Sequence, residues 1–291
     1  MILVVRKNST LDRHGDYIRD KVNRGFLSHE HLDRLSRAHE EHYKTFEDLM
    51  ESLAKAKLPF QEVHRDEAWP SLDSISYVIT VGGDGTVLEA SHHISNADVA
   101  LIGIKSSPSS IGYLCYKSGS QISELISELK LDQLSLIQVS RLNATIHRVK
   151  DGQSFVSNPV LNDFLFTAAN PAETSRYRIT LGSNQEVQKS SGIWIATAAG
   201  STAAISAAGG SIHPINDPNF QYLVREPYAS PGKSFKLVGG NFHPEHQKFE
   251  LENLVDQGIL ALDGHHGILP LGYGDRVVFG SAPSLKLARS M

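Results

Sequence analysis

Short apolar runs alternate with amphipathic, charged stretches along the first 130 residues. Residues 2–5 are apolar and branched, which predicts a buried strand. The charged stretch 12–56 predicts two helices, over 12–24 and 28–56. In the second, Ser28 stands as cap before a stripe formed by Leu32, Leu35, Phe46, Leu49 and Leu53. Strands are predicted at 60–63, 76–81 and 99–104, and helices at 87–94 and 121–129, the last capped by Ser120. Such alternation is the pattern of a parallel sheet in an α/β layer. From 136 to 262 the texture changes to short strands, at 143–147, 161–167, 177–181, 193–197, 235–238, 248–251 and 258–263. Asp151-Gly152, Gly239-Gly240 and Asp263-Gly264 are among the turn signals between them. One helix is predicted to start near Ser201 and run into Gly209-Gly210, and a final strand covers 276–280. The expected fold is an α/β N-terminal domain with a parallel sheet, about 1–135, followed by a mostly β domain, about 136–268.

Composition narrows the function. The chain has 291 residues, enough for two domains. Its 28 basic and 32 acidic side chains leave a net charge of −4, which argues against a nucleic-acid partner. A single cysteine, Cys115, excludes an intrachain disulfide and a Cys-rich zinc site, and reads as a buried, inert thiol. His39 with His42, His92-His93 and His265-His266 show no ligand spacing of the HExxH kind, so they read as solvated surface residues and no metal site is expected. No apolar stretch reaches the ~18 residues of a membrane span, and the chain opens on a strand rather than a targeting segment. The expectation is a cytoplasmic protein with no membrane partner.

The sharpest local signal is Val81-Gly82-Gly83-Asp84-Gly85-Thr86, placed between a predicted strand and a predicted helix. Glycines there let the backbone approach a ligand, and the helix start offers N–H groups to phosphate. The loop lacks the lysine of GxxxxGK[ST] and the spacing of GxGxxG. Its aspartate repels phosphate, so it suits a general base, a group organising Mg²⁺, or an acceptor for a substrate hydroxyl. A glycine-rich hairpin is the plainer reading, disfavoured by the strand-to-helix setting.

GGDGT in this setting resembles the superfamily of NAD kinases and of diacylglycerol and sphingosine kinases. Leu161-Asn162-Asp163 resembles the Asn-Glu pair of NAD kinases, with Asp for Glu. Residues 190–203 resemble the stretch written DGxxxxTPTGSTAY, and Arg141-Leu142 and Leu262-Asp263-Gly264 fall where that family has them. The opening at Val4 to Lys7, the insert 12–42, residues 102–108 followed by 112–115, and residues 188–192 are most similar to the mitochondrial-type branch.

The resemblance implies a NAD kinase that transfers the γ-phosphate of ATP to the adenosine 2′-hydroxyl of NAD. Asp84 would accept the reacting hydroxyl's proton. Gly82, Gly83, Gly85 and Thr86 would hold the ATP phosphates with Mg²⁺. Asn162 and Asp163 would bind NAD, and Gly200, Ser201, Thr202 and Ala203 would line its adenosine pocket. It further implies a homodimer, a return of about 269–291 to the first domain, and an active site in the cleft between domains. Ser191, Ala204 and Ala207 stand where the wider family has aspartate, tyrosine and serine, which leaves the grip on the base open. Two rival functions use the same features: a lipid or sphingoid-base kinase, and a non-catalytic NAD/NADP sensor.

Overall fold

The structure, a computed structural model, describes residues 1–108, 110–232 and 234–289. The first of two compact units comprises Met1–Ile137 and the chain from Lys286 on. It begins with β1 (Ile2–Arg6), α1 (Thr10–Asn23), α2 (His29–Lys55), β2 (Phe60–His64) and β3 (Tyr77–Gly82). It continues with α3 (Asp84–His93), β4 (Ala100–Lys105), β5 (Lys117–Ser118), a 3₁₀ turn over Gly119–Gln121 and α4 (Ile122–Leu131). The strands are parallel in the order β2-β1-β3-β4-β5. Because helices cover such a sheet, its central strands are buried along both faces, as in Ile2–Val5 and Val78–Val81. Ile2, Val4, Ile79, Val81, Ile102 and Ile104 form one face and pack with Leu49 and Leu53 of α2 and Leu125 of α4.

Local chemistry sets the helix ends. Ser9 caps α1 in a reciprocal pair with Asp12, and the Ser28 hydroxyl accepts the His31 N–H at the start of α2. Two sequence expectations shift. α3 starts at Asp84, not at 87, because the Gly83 carbonyl already accepts the N–H of Thr86 at 2.9 Å. The turn before α4 is capped by Ser118, whose N–H and hydroxyl both reach Gln121, rather than by Ser120.

The second unit, Gln138–Leu285, is almost entirely β. Its strands run β6 (Leu136–His147), β7 (Ser154–Val156), β8 (Asp163–Ala168), β9 (Ser175–Leu181), β10 (Asn184–Ser190) and β11 (Ile193–Ala196). After a 3₁₀ turn (Ala199–Thr202) and the one-turn α5 (Ala204–Ala207) come β12 (Phe220–Val224), β13 (Gly239–Phe242), β14 (Phe249–Asn253), β15 (Gly258–Leu262), β16 (Gly267–Leu271) and β17 (Arg276–Ala288). One antiparallel sheet has the order β13-β12-β11-β8-β15-β16. The other carries β10-β9-β14-β17, with β6 beside β17 and β7 beside β6. Alternate residues of β9 and β15 point inward, and Phe164, Phe166, Tyr177, Phe220, Phe242, Phe249 and Phe279 fill the core.

The predicted strand at 235–238 is absent. The Glu186 carboxylate takes the N–H groups of Lys236 and Leu237, and the Gln188 amide takes the Leu237 carbonyl. Backbone groups bound by side chains leave no ladder, and the strand forms four residues later, at β13. The predicted 201–210 helix is likewise divided, because Ala203 leaves helical conformation at ψ −142°. The end of β17 returns to the first unit only from Lys286, later than the 269 expected; Lys286 and Leu287 pair with Ala100 and Leu101.

Candidate functional site

In the first unit the glycine loop stands at the C-terminal end of β3. Its two leading glycines are required by space. A Cβ at Gly82 would lie 2.3 Å from the Thr86 hydroxyl oxygen and 3.2 Å from Lys7 Cε, and one at Gly83 would lie 2.5 Å from Ser110 Oγ. Gly85 has open space where its Cβ would stand. Thr86 is buried, with its side chain against Gly82. Thus Gly82, Gly83, Asp84, Gly85 and Thr86 come together as one strand-turn-helix element, with Asp84 in the first turn of α3.

The Asp84 carboxylate is aimed by backbone. Its Oδ2 accepts the Tyr113 N–H at 3.0 Å and its Oδ1 accepts the Leu114 N–H at 2.7 Å. The turn that presents both donors contains Gly112 at φ 67°, where a Cβ would also strike Lys105 Cδ at 2.6 Å. The half-buried Cys115 follows. Burial and then the Asp84 charge push its thiol up to about 12, so it stays protonated.

Beside the loop lies a cavity of ≈ 230 Å³, lined by Lys7, Ser9, His39, His42, Gly82 and Gly83 among others. A larger one of ≈ 500 Å³ shares Ser106 and Ser107 with it and adds Lys44 and Lys105. Lys7 forms no ion pair among the described residues; burial, and then the Arg65 and Arg13 charges, lower its pKa. His42 is buried, not solvated as its sequence context suggested: its Nε2 lies 3.0 Å from the Lys7 carbonyl and its Nδ1 3.3 Å from Ser106 Oγ. His93 is exposed, as its sequence context suggested, and its ring stacks on Trp69 at 4.1 Å. Among the described residues no three His, Cys, Asp or Glu side chains converge.

In the second unit, Asn162 and Asp163 open β8. Asp263 lies beneath them, accepting the N–H groups of Leu161, Asn162 and Asp163 at 2.8–3.0 Å. Burial, and then the neighbouring Asp263 charge, push the Asp163 carboxyl up to about 7. Gly200 belongs here by contact: a Cβ on it would meet the Asn162 carbonyl oxygen at 2.1 Å. The Thr197 hydroxyl ties the two segments, donating to the Leu161 carbonyl and accepting the Gly200 N–H. Ser201 is fully buried; its hydroxyl donates to the Ala198 carbonyl and accepts the His213 N–H, so it braces the turn, while Thr202 and Ala203 are partly exposed. Asn162 Oδ1 is buried without a hydrogen-bond partner among the described residues. A buried acceptor left open in this way is a place for a ligand donor.

Sequence reasoning missed His42 and gave Lys7 no role. The sequence signs of Lys7 were the resemblance of Val4 to Lys7 to the opening strand and lysine of the mitochondrial-type branch, and its position just past the first strand, where ligands of open α/β sheets bind.

Comparison with known proteins matches residues 22–130 to the model of the ATP-NAD kinase N-terminal domain. The chain is 28% identical over 280 residues to a probable NADH kinase of Oryza sativa subsp. japonica, covering 88% of this chain and 83% of that protein. It is 28% identical over 265 residues to the NADH kinase of Arabidopsis thaliana, covering 84% and 83%. Its fold is shared with yeast NADH kinase complexed with NADH, at a TM-score of 0.69 and 15% identity, covering 100% of this chain and 84% of that one. It is shared also with an Archaeoglobus fulgidus NAD kinase in complex with ATP, at 0.67 and 14%, covering 99% and 94%. A family model matched over residues 22–130, relatives at 28% identity along most of its length and a shared fold make the chain similar to the NAD kinases.

Proposed function

We propose that the protein transfers the γ-phosphoryl group of ATP to the adenosine 2′-hydroxyl of NAD or NADH, giving NADP or NADPH. The observation that carries this reading is Asp84: a carboxylate at the first turn of a helix, behind two glycines, fixed by two backbone N–H groups beside a cationic cavity. A pure phosphate cradle has no use for that carboxylate, whereas transfer to a hydroxyl does. That the plant relatives and the yeast enzyme are named NADH kinases makes the reduced form a candidate acceptor.

Each group then has a part. Gly82, Gly83, Gly85 and Thr86 hold the donor's phosphates against the start of α3, and Lys7 supplies the cation that the loop itself lacks. Mg²⁺ bound with the triphosphate would neutralise charge on the phosphate oxygens, and Asp84 is the loop carboxylate that would face it; magnesium sites commonly combine one or two carboxylates with substrate phosphates. Asn162 Oδ1 accepts a hydrogen bond from the acceptor nucleotide, with Asp163, Gly200, Ser201, Thr202 and Ala203 forming the surrounding wall. Asp84 accepts the proton of the attacking 2′-hydroxyl as the bond to phosphorus forms and ADP leaves.

The test is incubation of the pure protein with Mg²⁺-ATP and either NAD or NADH, followed by a cycling assay for NADP(H). Diacylglycerol and sphingosine serve as rival acceptors. Folded protein that binds NAD but forms no NADP(H) would overturn the proposal in favour of a nucleotide sensor.

A further inference from the structure

A peptide unit is planar, so its carbonyl and its N–H move as one body. The unit joining Tyr113 to Leu114 is held at both ends. Its N–H, on Leu114, donates to Asp84 Oδ1 at 2.7 Å. Its carbonyl, on Tyr113, accepts a hydrogen bond from the guanidinium of Arg289. The same guanidinium lies over the Tyr113 ring, 4.6 Å from its centre. Arg289 is itself anchored: its N–H donates to the Ser135 carbonyl at 2.9 Å, and Leu285, Leu287 and Ala288 before it are fully buried.

We propose that Arg289 is a positioning residue for phosphoryl transfer, acting through the Tyr113–Leu114 peptide to orient the Asp84 carboxylate. The proposal rests on the kinase reading of Asp84. Arg289 touches neither Asp84 nor a substrate; it fixes the plane of the donor and polarises it. A cation on the carbonyl draws electron density along the peptide and strengthens the N–H at the other end. The residue that follows β17 thereby aims a side chain about 200 residues earlier in sequence.

The experiment compares Arg289→Ala, Arg289→Lys and, as a control three residues earlier on β17, Lys286→Met, which removes the ion pair with Asp98. Two readouts are taken: steady-state kinetics with ATP and NAD or NADH, and amide hydrogen exchange at Tyr113 and Leu114. Arg289→Ala should lower kcat about 10-fold, below the ~10²-fold that a 1 Å misplacement of a catalytic group can cost, with KM for the acceptor within about 2-fold. The two amides should exchange about 10-fold faster. Arg289→Lys keeps a cation over the ring but not the planar fork, and should lose only about 3-fold; it carries the test if the alanine variant is unfolded. Lys286→Met should leave both readouts unchanged. Unchanged exchange in both Arg289 variants overturns the proposal whatever the wild-type activity. So does faster exchange with unchanged kcat. A wild-type chain that makes no NADP(H) counts instead against the kinase reading, and is told apart because the exchange measurement does not need turnover.

Discussion

Asp163 and Asp263 exchange two backbone-anchored hydrogen bonds. The Asp163 N–H donates to Asp263 Oδ1 at 3.0 Å, and the Asp263 N–H donates to the Asp163 carbonyl at 2.9 Å. The exchange holds two carboxyl groups together inside the β unit, and folding thereby becomes sensitive to pH. The Asp163 carboxyl is raised from 3.8 to about 7 by burial and by the Asp263 charge. A raised carboxyl binds its proton more tightly in the folded state. Its contribution is therefore fully favourable below about pH 4 and is lost as pH rises through 7. Denaturation midpoints of wild type and Asp163→Asn across pH 5–8 should diverge, the variant gaining relative stability toward pH 8. Parallel curves would show that Asp163 is not the titrating group.

Asn162→Ala removes a buried acceptor that has no partner among the described residues. The free protein should keep its stability within about 1 kcal/mol, since no internal hydrogen bond is broken. If the open acceptor receives the nucleotide, KM for NAD or NADH should rise about 10-fold with kcat little changed, a pattern read from initial rates.

Lys7→Met takes away a half-buried ammonium with no ion-pair partner among the described residues. Thermal unfolding should show equal or higher stability, because an uncompensated buried charge is removed. KM for ATP should rise by about 10–100-fold, the weight of a charge-assisted contact. An unchanged KM for ATP would remove Lys7 from the donor site.

Gly85 and Gly200 separate ligand from fold. Gly85 lies in the first turn of α3 with nothing near its missing Cβ, so Gly85→Ala should raise stability by about 0.5–1 kcal/mol. It should nonetheless lower activity if phosphate approaches that backbone. Gly200→Ala drives a Cβ into the Asn162 carbonyl and should destabilise by about 3 kcal/mol, seen as a lower melting temperature.

Asp84→Asn preserves size but removes the base, and its amide oxygen can keep only one of the two backbone N–H contacts, since the NH2 cannot accept the other. Expected is a fall in kcat of about 10²–10⁴-fold with KM for the acceptor nearly constant. A raised KM alone would assign Asp84 to binding.

How much was legible in the sequence follows from how local each feature is. The glycine loop could be read because its chemistry is contiguous: β3, two glycines and α3 are neighbours in the chain. So could β1, α2 and the change of texture near 136, each carried by its own periodicity. Where side chains compete with backbone the reading failed, as at 235–238, where Glu186 takes the N–H groups from some fifty residues away.

What the sequence alone determined is therefore the alternation of strands and helices in the first unit, the β character of the second without its strands β7, β10, β12, β13 and β16, the GGDGT loop with Asp84 as its one carboxylate, and the resemblance to the NAD kinase family. Tertiary structure decided which distant groups serve those residues. Lys7 meets Gly82 because parallel strands deliver their ends to one edge of the sheet, and His42 meets Ser106 because α2 packs across that edge. Asp263 reaches Asn162 through the pairing of β15 with β8, and Arg289 reaches Tyr113 through the return of β17 to β4. A hydrogen bond is a condition on distance and angle in space, and residues far apart in sequence acquire both only when the backbone has closed the sheet between them.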